Sequence, residues 1–365
     1  MLVRSVARNR VAGACRLSTY IRDKKSEAFR DLLRIIGRGR KLQRDYTREE
    51  AREIMHLMLC DDAVSDAQIG SFLVTMRVKE ETSEEIAGFV DAVREVMQPI
   101  PRPQVEGLVD IALPYNGKSR NLQTGVAALL VLAAAGVPVL VHGADHVPTK
   151  NGIAVLNLLR TLGYPADLPP EQVARSIEQT NFGVLNIEHV LPQWTALTPL
   201  RHHFGVRTLM NTVEKLINPA DAPHHISGFY HSSYLLRMAT CLPAPDSWIT
   251  QGDEGSIDMR PGKKTRVYQA VAGDMVEHMI DAAEYDYPDE VDLSMPVDPN
   301  AHADALRKVL EGETGPAYDQ IVLTVGVLLW MLQRVTDIQA GIAVAKEQLD
   351  SQKALAVLRQ AHQFA

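Results

Sequence analysis

Residues 107–152, GLVDIALPYNGKSRNLQTGVAALLVLAAAGVPVLVHGADHVPTKNG, decide the fold of this chain. An apolar run at 108–113 and a β-branched run at 137–141 predict two strands, and the apolar segment from about 122 to 135 predicts a helix between them. Strands that are continuously apolar on either side of a covering helix indicate a parallel sheet buried on both faces. Ligands of such sheets bind beyond the carboxyl ends of the strands, so the two loops that follow these strands are the expected place of function.

The remainder of the chain predicts two domains around this unit. Three capping boxes, which begin at Thr47, Ser65 and Thr82, mark successive helix starts in residues 27–104. Residues 105–365 predict a larger α/β domain with a mainly parallel central sheet, and a segment at about 190–216 is expected to return to the helical domain. The expected fold is therefore a small all-helical N-terminal domain followed by an α/β domain.

Composition narrows the class of protein. The chain has 365 residues, of which 46% are hydrophobic and 23% charged, and no apolar run approaches the roughly 20 residues of a membrane span. The three cysteines are far apart and lack the spacing of zinc ligands, which favours a reducing, cytoplasmic location. Residues 1–26 form a basic tail, and residues 1–22 hold five arginines and no acid. This pattern is typical of a disordered tail or of an organellar presequence.

Basic residues are concentrated near the start of the chain. Residues 1–48 hold 14 Lys/Arg against four acids, while the remainder holds 24 against 41, so a net +10 precedes a net −17. The candidate polyanion-binding cations are Arg34, Arg38, Arg40, Lys41 and Arg44. Flexible glycines among them would let the side chains follow a phosphate backbone, which predicts salt-dependent contact with nucleic acid. The alternative is a solvated helix end.

The two loops after the predicted strands carry the candidate anion-binding residues. These are Asn116, Gly117, Lys118, Ser119 and Arg120 in the first loop, and His142, Gly143 and Lys150 in the second. The first loop precedes a predicted helix, whose free N–H groups and dipole favour an anion. The alternative is a turn with solvated charges. No side chain is predicted to act as a catalytic nucleophile.

Short segments along residues 28–360 resemble anthranilate phosphoribosyltransferases. They are found at 47–51, 68–73, 79–88, 205–208, 218–220, 228–230, 315–316 and 349–351. The resemblance implies the helical and α/β domains described above, a homodimer formed through the helical domain, and phosphoribosyl diphosphate as a ligand. It also implies that Arg201 anchors the acid group of the acceptor, and that Asp258, with Glu254 nearby, holds Mg²⁺.

The departures from that family fall on the residues that carry its chemistry. Where the family has a GTGGD loop for the diphosphate, residues 113–117 read LPYNG, and Pro114 has no N–H to donate. The family's Asp-Glu pair for magnesium is reduced to Asp258. No cofactor is therefore certain, and Mg²⁺ is expected only if the chain is a transferase.

The segments Tyr-Asn-Gly at 115–117, Val-His-Gly at 141–143 and Ile-Gly-Arg-Gly at 36–39 resemble the YbiB-like branch of the family, which is thought to bind nucleic acid. We therefore predict a binder of nucleic acid or another polyanion. The alternative is a magnesium-dependent transferase that moves a pentosyl group from phosphoribosyl diphosphate to anthranilate or another acceptor.

Overall fold

The computed structural model describes residues 24–39, 41–229 and 235–364. Residues 1–23 of the predicted basic tail and Arg40 lie outside the described residues, and the last three residues of that tail begin the first helix. Among the described residues, no helix combines the length and the apolar character that crossing a membrane requires.

The amino-terminal domain is a bundle of helices. It begins with α1 (Lys24–Ile36), α2 (Arg48–Cys60), α3 (Asp66–Lys79) and α4 (Ser83–Val96). All three predicted capping boxes are formed, each with both of its reciprocal hydrogen bonds. The core of the bundle centres on Phe72, whose ring lies edge-on to Phe29 at 6.0 Å and to Phe89 at 5.9 Å between centroids, a favoured aromatic geometry.

Three short helices that follow the first half of the α/β domain pack against this bundle. They are α8 (Pro192–Thr195), α9 (Thr198–Phe204) and α10 (Met210–Val213). They contact α2, α3 and α4 respectively. The segment that was expected to return to the helical domain therefore closes one side of the space between the domains.

A seven-stranded sheet forms the centre of the second domain. Its strands are β1 (Val109–Ala112), β2 (Val139–Gly143), β3 (Phe182–Asn186), β4 (His224–Gly228), β5 (Asp246–Thr250), β6 (Lys264–Val271) and β7 (Asp274–Asp281). The order is β3-β2-β1-β4-β5-β6-β7, and the first five strands in this order are parallel. The last two are antiparallel, so the sheet is mainly parallel as predicted.

Helices cover this sheet. They are α5 (Gly125–Ala134), α6 (Val155–Leu162), α7 (Pro170–Thr180), α11 (Leu235–Met238), α12 (Pro299–Leu310), α13 (Pro316–Met331), α14 (Ile338–Asp350) and α15 (Lys353–Gln360). Alternate strand residues belong to different cores: Ile111 packs in the core of α5 and α13, whereas Leu140 packs in the core that includes the helical bundle. Both faces are thus buried, which explains why the strands read as continuous apolar runs.

Candidate functional site

A cavity of about 120 Å³ lies at the carboxyl ends of the strands, between the two domains. Its lining combines the loops after β1 and β2, the residues after β4 and β5, α3 and the returning segment. The lining residues used below are Arg77, Tyr115, Asn116, Lys150, Arg207, Thr208, Glu214, Lys215, Phe229 and Glu254. The cavity therefore occupies the position where the topology of a parallel sheet places a ligand.

The loop after β1 binds an anion that the chain itself supplies. The backbone N–H groups of Ser119 and Arg120 donate to the carboxylate of Glu254 at 3.1 and 3.0 Å, and the N–H group of Asn121 donates at 3.1 Å. Burial alone would raise the pKa of Glu254, but these hydrogen bonds and Lys150 hold that pKa at about 2. The loop thus has the predicted donors for an anion, and a carboxylate occupies them.

Glycine is required where this loop turns. Gly117 has a φ of +66°, and a Cβ there would lie 2.3 Å from the backbone of Ile153. The close approach is fixed by a hydrogen bond from the N–H of Ile153 to the carbonyl of Lys118 at 2.6 Å. Asn116 borders the cavity, and its carbonyl accepts from the N–H of Gly152 at 2.9 Å.

Lys118 points into the protein and not into the cavity. Its ammonium group is fully buried, forms an ion pair with the equally buried Asp258, and lies 3.4 Å from a carboxylate oxygen of Asp253. Burial would lower the pKa of Lys118, but Asp258 and Asp253 raise it above its ordinary value. A cation of the chain is therefore paired with Asp258, the first carboxylate that was expected to hold magnesium.

The predicted magnesium residues do not fit a divalent ion in this arrangement. Asp258 is paired with Lys118, and Glu254 is held by backbone N–H groups and by Lys150, whose ammonium lies 3.0 Å away. One oxygen of Asp258 has no hydrogen-bond partner among the described residues. Magnesium is usually bound through one or two carboxylates together with waters and substrate phosphates, but ammonium groups of the chain already pair with both predicted carboxylates. The described residues hold no group of three His, Cys, Asp or Glu side chains that could bind a metal.

His142 and Gly143 lie inside the sheet. His142 is fully buried; its Nδ1 is 2.5 Å from the hydroxyl of Tyr115 and its Nε2 is 3.3 Å from Asp110. His225 contacts the same carboxylate at 2.7 Å. Burial favours a raised pKa for Asp110, but the two histidines hold it at about 2. Neither His142 nor Gly143 borders the cavity, so the structure gives them a packing role.

Arg201, the expected acceptor anchor, is engaged by a buried acid. Its guanidinium donates to the carboxylate of Glu214 at 2.8 and 3.4 Å, and both side chains are at most 3% exposed. The indole N–H of Trp194 donates to Glu214 at 3.5 Å. This arrangement leaves Arg201 neutralised, and it does not line the cavity.

Four cations border the cavity, and three of them were not expected from the sequence. Lys150 was predicted, whereas Arg77, Arg207 and Lys215 were not. The sequence contains only a weak signal for them: Arg207 lies in a segment shared with the transferases, and Lys215 follows an acid directly.

The basic stretch near the start of the chain is partly neutralised. Arg34 pairs with Asp31 at 2.9 Å, and Arg44 donates two hydrogen bonds of 2.6 Å to Glu50. Arg38 and Lys41 are exposed and form no ion pair with the residues that the structure describes. They lie in the helical domain, outside the lining of the cavity.

Comparison with known proteins identifies the family. The model of the glycosyl transferase family helical bundle domain matches residues 30–97, and the model of the family's a/b domain matches residues 116–355. The chain belongs to glycosyl transferase family 3. The family-level resemblance and the predicted fold class are thereby confirmed.

Relatives of this family 3 protein include anthranilate phosphoribosyltransferases. The enzyme of Verminephrobacter eiseniae is 31% identical over 84% of this chain and 91% of its own length. That of Mesorhizobium japonicum is 30% identical over 85% and 92%. The crystal structure of the Thermus thermophilus enzyme superposes with a TM-score of 0.78 at 28% identity and covers 92% of this chain and 98% of that one. The Saccharomyces cerevisiae enzyme in complex with phosphoribosyl diphosphate and magnesium shares the fold, with a TM-score of 0.79 at 20% identity over 94% and 99%.

These findings favour one of the two functional predictions over the other. The family 3 relatives support an anthranilate phosphoribosyltransferase-like protein, and hence the transferase that was the alternative. They give no support to nucleic-acid binding, which was the main prediction. The assignment to the YbiB-like branch, the homodimer and the cytoplasmic location stay predictions.

Proposed function

We propose that this family 3 protein transfers a pentosyl group from phosphoribosyl diphosphate to an acceptor in the cavity between its domains. The observation that carries the proposal is the cluster of Arg77, Lys150, Arg207 and Lys215 around one cavity at the carboxyl ends of the strands. Relatives of 30–31% identity over most of the chain are named for this reaction and for anthranilate. The same location and the charge of the cluster suit a ligand with several phosphoryl groups.

The reaction needs positioning and charge stabilisation more than a nucleophilic side chain. The bond between the anomeric carbon and the diphosphate breaks with its electron pair leaving on the diphosphate, while the acceptor's lone pair forms the new bond and its proton passes to solvent. Cations already fixed around the cavity would stabilise the negative charge that develops on the leaving group. In this proposal Lys150 stabilises the charge on the leaving diphosphate, because its ammonium group already pairs with the carboxylate of Glu254 at the edge of the loop after β1.

The test is release of pyrophosphate from phosphoribosyl diphosphate, with anthranilate and other aromatic amines offered as acceptors. Lys150→Met is expected to lower kcat/KM at least roughly tenfold, because it removes a charged hydrogen-bond donor. Lys308→Met, which removes an exposed cation of α12, is the matched control and is expected to retain wild-type activity. Assays run with magnesium and with EDTA show whether the reaction needs a metal ion, for which the described carboxylates provide no site. Absence of acceptor-dependent pyrophosphate release under both conditions would refute the proposal.

A labelled oligonucleotide titrated at two salt concentrations tests the nucleic-acid prediction beside it. The double variant Arg38→Glu, Lys41→Glu reverses two exposed cations of the basic stretch that have no ion pair among the described residues. If the chain is a transferase only, wild type and variant are both expected to bind the oligonucleotide weakly and alike. Tight wild-type binding that this variant abolishes would restore the polyanion prediction.

A further inference from the structure

We propose that Lys215, Arg207 and Thr208 form an anion subsite that binds one oxyanion group, phosphoryl or carboxylate, of the ligand. The subsite lies in the cavity of the proposed function, so the identity of the ligand rests on that function. The capacity to bind an oxyanion does not rest on the proposed function, because it follows from the side chains alone.

Among the described residues, Lys215 is a buried cation without a carboxylate partner. Lys215 is 8% exposed. Its ammonium group donates a hydrogen bond to the carbonyl of Gly228 at 2.5 Å and lies 3.4 Å from the centre of the Phe229 ring. The adjacent acid, Glu214, directs its carboxylate to Arg201. A buried charge that lacks an opposite charge is costly, and Lys215 borders the cavity where an anion could supply one.

Neighbouring cations add to this cost. Burial is the main cause that lowers the pKa of Lys215, to about 7; Glu214 opposes the change, and Arg207 and Lys150 reinforce it. Arg207 likewise contributes to the lowered pKa of Lys150, for which burial is again the main cause. The three cations therefore repel one another around one cavity, and an anion bound among them would be attracted to all three.

Thr208 provides an independent indication. It lines the cavity and is 6% exposed, and its hydroxyl oxygen has no hydrogen-bond partner among the described residues. Buried polar atoms are nearly always hydrogen-bonded, and an unpaired one commonly marks a place for a ligand or water. A ligand oxyanion would accept a hydrogen bond from this hydroxyl and meet the guanidinium of Arg207, the preceding residue, which is exposed and forms no ion pair with the described residues.

The subsite differs from the expected acceptor anchor. Arg201 is fully neutralised by Glu214, whereas Lys215 is not neutralised by any described residue. The apolar rings of Tyr115 and Phe229 border the same cavity, so a ligand body could pack beside the bound acid group. A carboxylate of an acceptor and a phosphoryl group of the donor are the two sources of such a group.

The test is calorimetric titration of the full chain with pyrophosphate and, separately, with benzoate. Lys215→Met and Thr208→Val are compared with the wild type and with the control Lys308→Met, after circular dichroism has confirmed that each variant is folded. Loss of a hydrogen bond to a charged group predicts roughly tenfold to hundredfold weaker binding for Lys215→Met. A selective loss for pyrophosphate assigns the subsite to the donor, and a selective loss for benzoate assigns it to the acceptor. Unchanged affinity for both anions in Lys215→Met, or no binding of either anion by the wild type, would overturn the proposal.

Proton uptake gives a readout that a purely structural lysine would not change. At pH 7 an anion that binds Lys215 should draw roughly half a proton onto it, measured as the dependence of binding heat on buffer ionisation enthalpy. Lys215→Met should abolish this uptake, and uptake that persists in the variant would count against the subsite. Pyrophosphate binding that depends on Lys215, without transfer from phosphoribosyl diphosphate, would refute only the proposed function. Transfer with wild-type KM values in Lys215→Met would refute only the subsite.

Discussion

Replacing Lys215 with methionine is expected to make the folded protein more stable while weakening anion binding. Methionine is unbranched and of similar length, so it can pack against Phe229 without the charge. Burial lowers the pKa of Lys215 from an ordinary 10.5 to about 7. Keeping its ammonium group charged in the folded protein therefore costs free energy. Removing the charge removes that cost.

The sign and size of the effect follow from proton binding by the folded and unfolded chains. Between pH 7 and 10.5 the unfolded chain holds a proton on Lys215 that the folded chain has released, so the contribution of Lys215 to wild-type stability rises with pH across this window. Below pH 7 the folded protein carries the full cost, at most about 5 kcal/mol. The variant's advantage is therefore largest at pH 6 and shrinks by about 3 kcal/mol by pH 9.

Urea unfolding of wild type, Lys215→Met and Lys308→Met at pH 6 and pH 9, followed by circular dichroism, measures this difference. Comparison of variant with wild type at each pH cancels the other titrating groups. The control should follow the wild type at both pH values. The reasoning would be refuted if Lys215→Met were less stable than wild type at pH 6, or if its advantage did not change with pH.

Three further substitutions test other parts of the structure. Glu254→Gln removes the negative charge that occupies the loop after β1 and should raise affinity for pyrophosphate roughly tenfold in calorimetry; unchanged affinity would show that Glu254 does not compete with the ligand. Lys118→Met leaves the buried Asp258 unpaired and should lower the free energy of unfolding by about 3–5 kcal/mol in urea, whereas wild-type stability would contradict the ion pair. Val78→Glu places a charge on an exposed apolar face of α3, beside Val74, and should shift the predicted homodimer to monomer in sedimentation analysis; a variant that stays dimeric would exclude this face.

The elements that local sequence rules govern were predictable. A hydroxyl residue followed three positions later by Glu or Gln fixed the starts of α2, α3 and α4, because a capping box needs only neighbours in the chain. The strand β7 has no continuous apolar run, because polar and apolar residues alternate irregularly in DMVEHMID and half of its eight residues are exposed. The available signal was the two-residue turn of Ala272 and Gly273, both with positive φ, which joins β7 to β6.

The place of the candidate cavity at the strand ends was predictable, but the group that occupies the first loop was not. The first loop was expected to donate to an anion, and its N–H groups do donate to one. That anion is Glu254, 135 residues beyond Ser119. The backbone of Glu254 has a φ of +51°, a conformation that side-chain-bearing residues rarely adopt. No local sequence pattern predicts that this residue contacts the loop after β1. Contacts of this kind depend on the completed sheet, which brings the loops after β1 and β5 together.

Glu214 and Lys215 show most clearly why the chemistry of the cavity could not be derived from the sequence. Adjacent opposite charges usually lie on a solvated surface, yet here both are at least nine-tenths buried, and they act on different partners. Glu214 neutralises the arginine that the family resemblance nominated, and Lys215 brings a new cation to the cavity. Because Glu214 neutralises Arg201, the positive charge that these residues present to a ligand is that of Lys215 and not that of Arg201. In the proposed subsite an acidic group of a substrate would consequently meet Lys215, which can release its proton near neutral pH, together with Arg207, and not the neutralised Arg201.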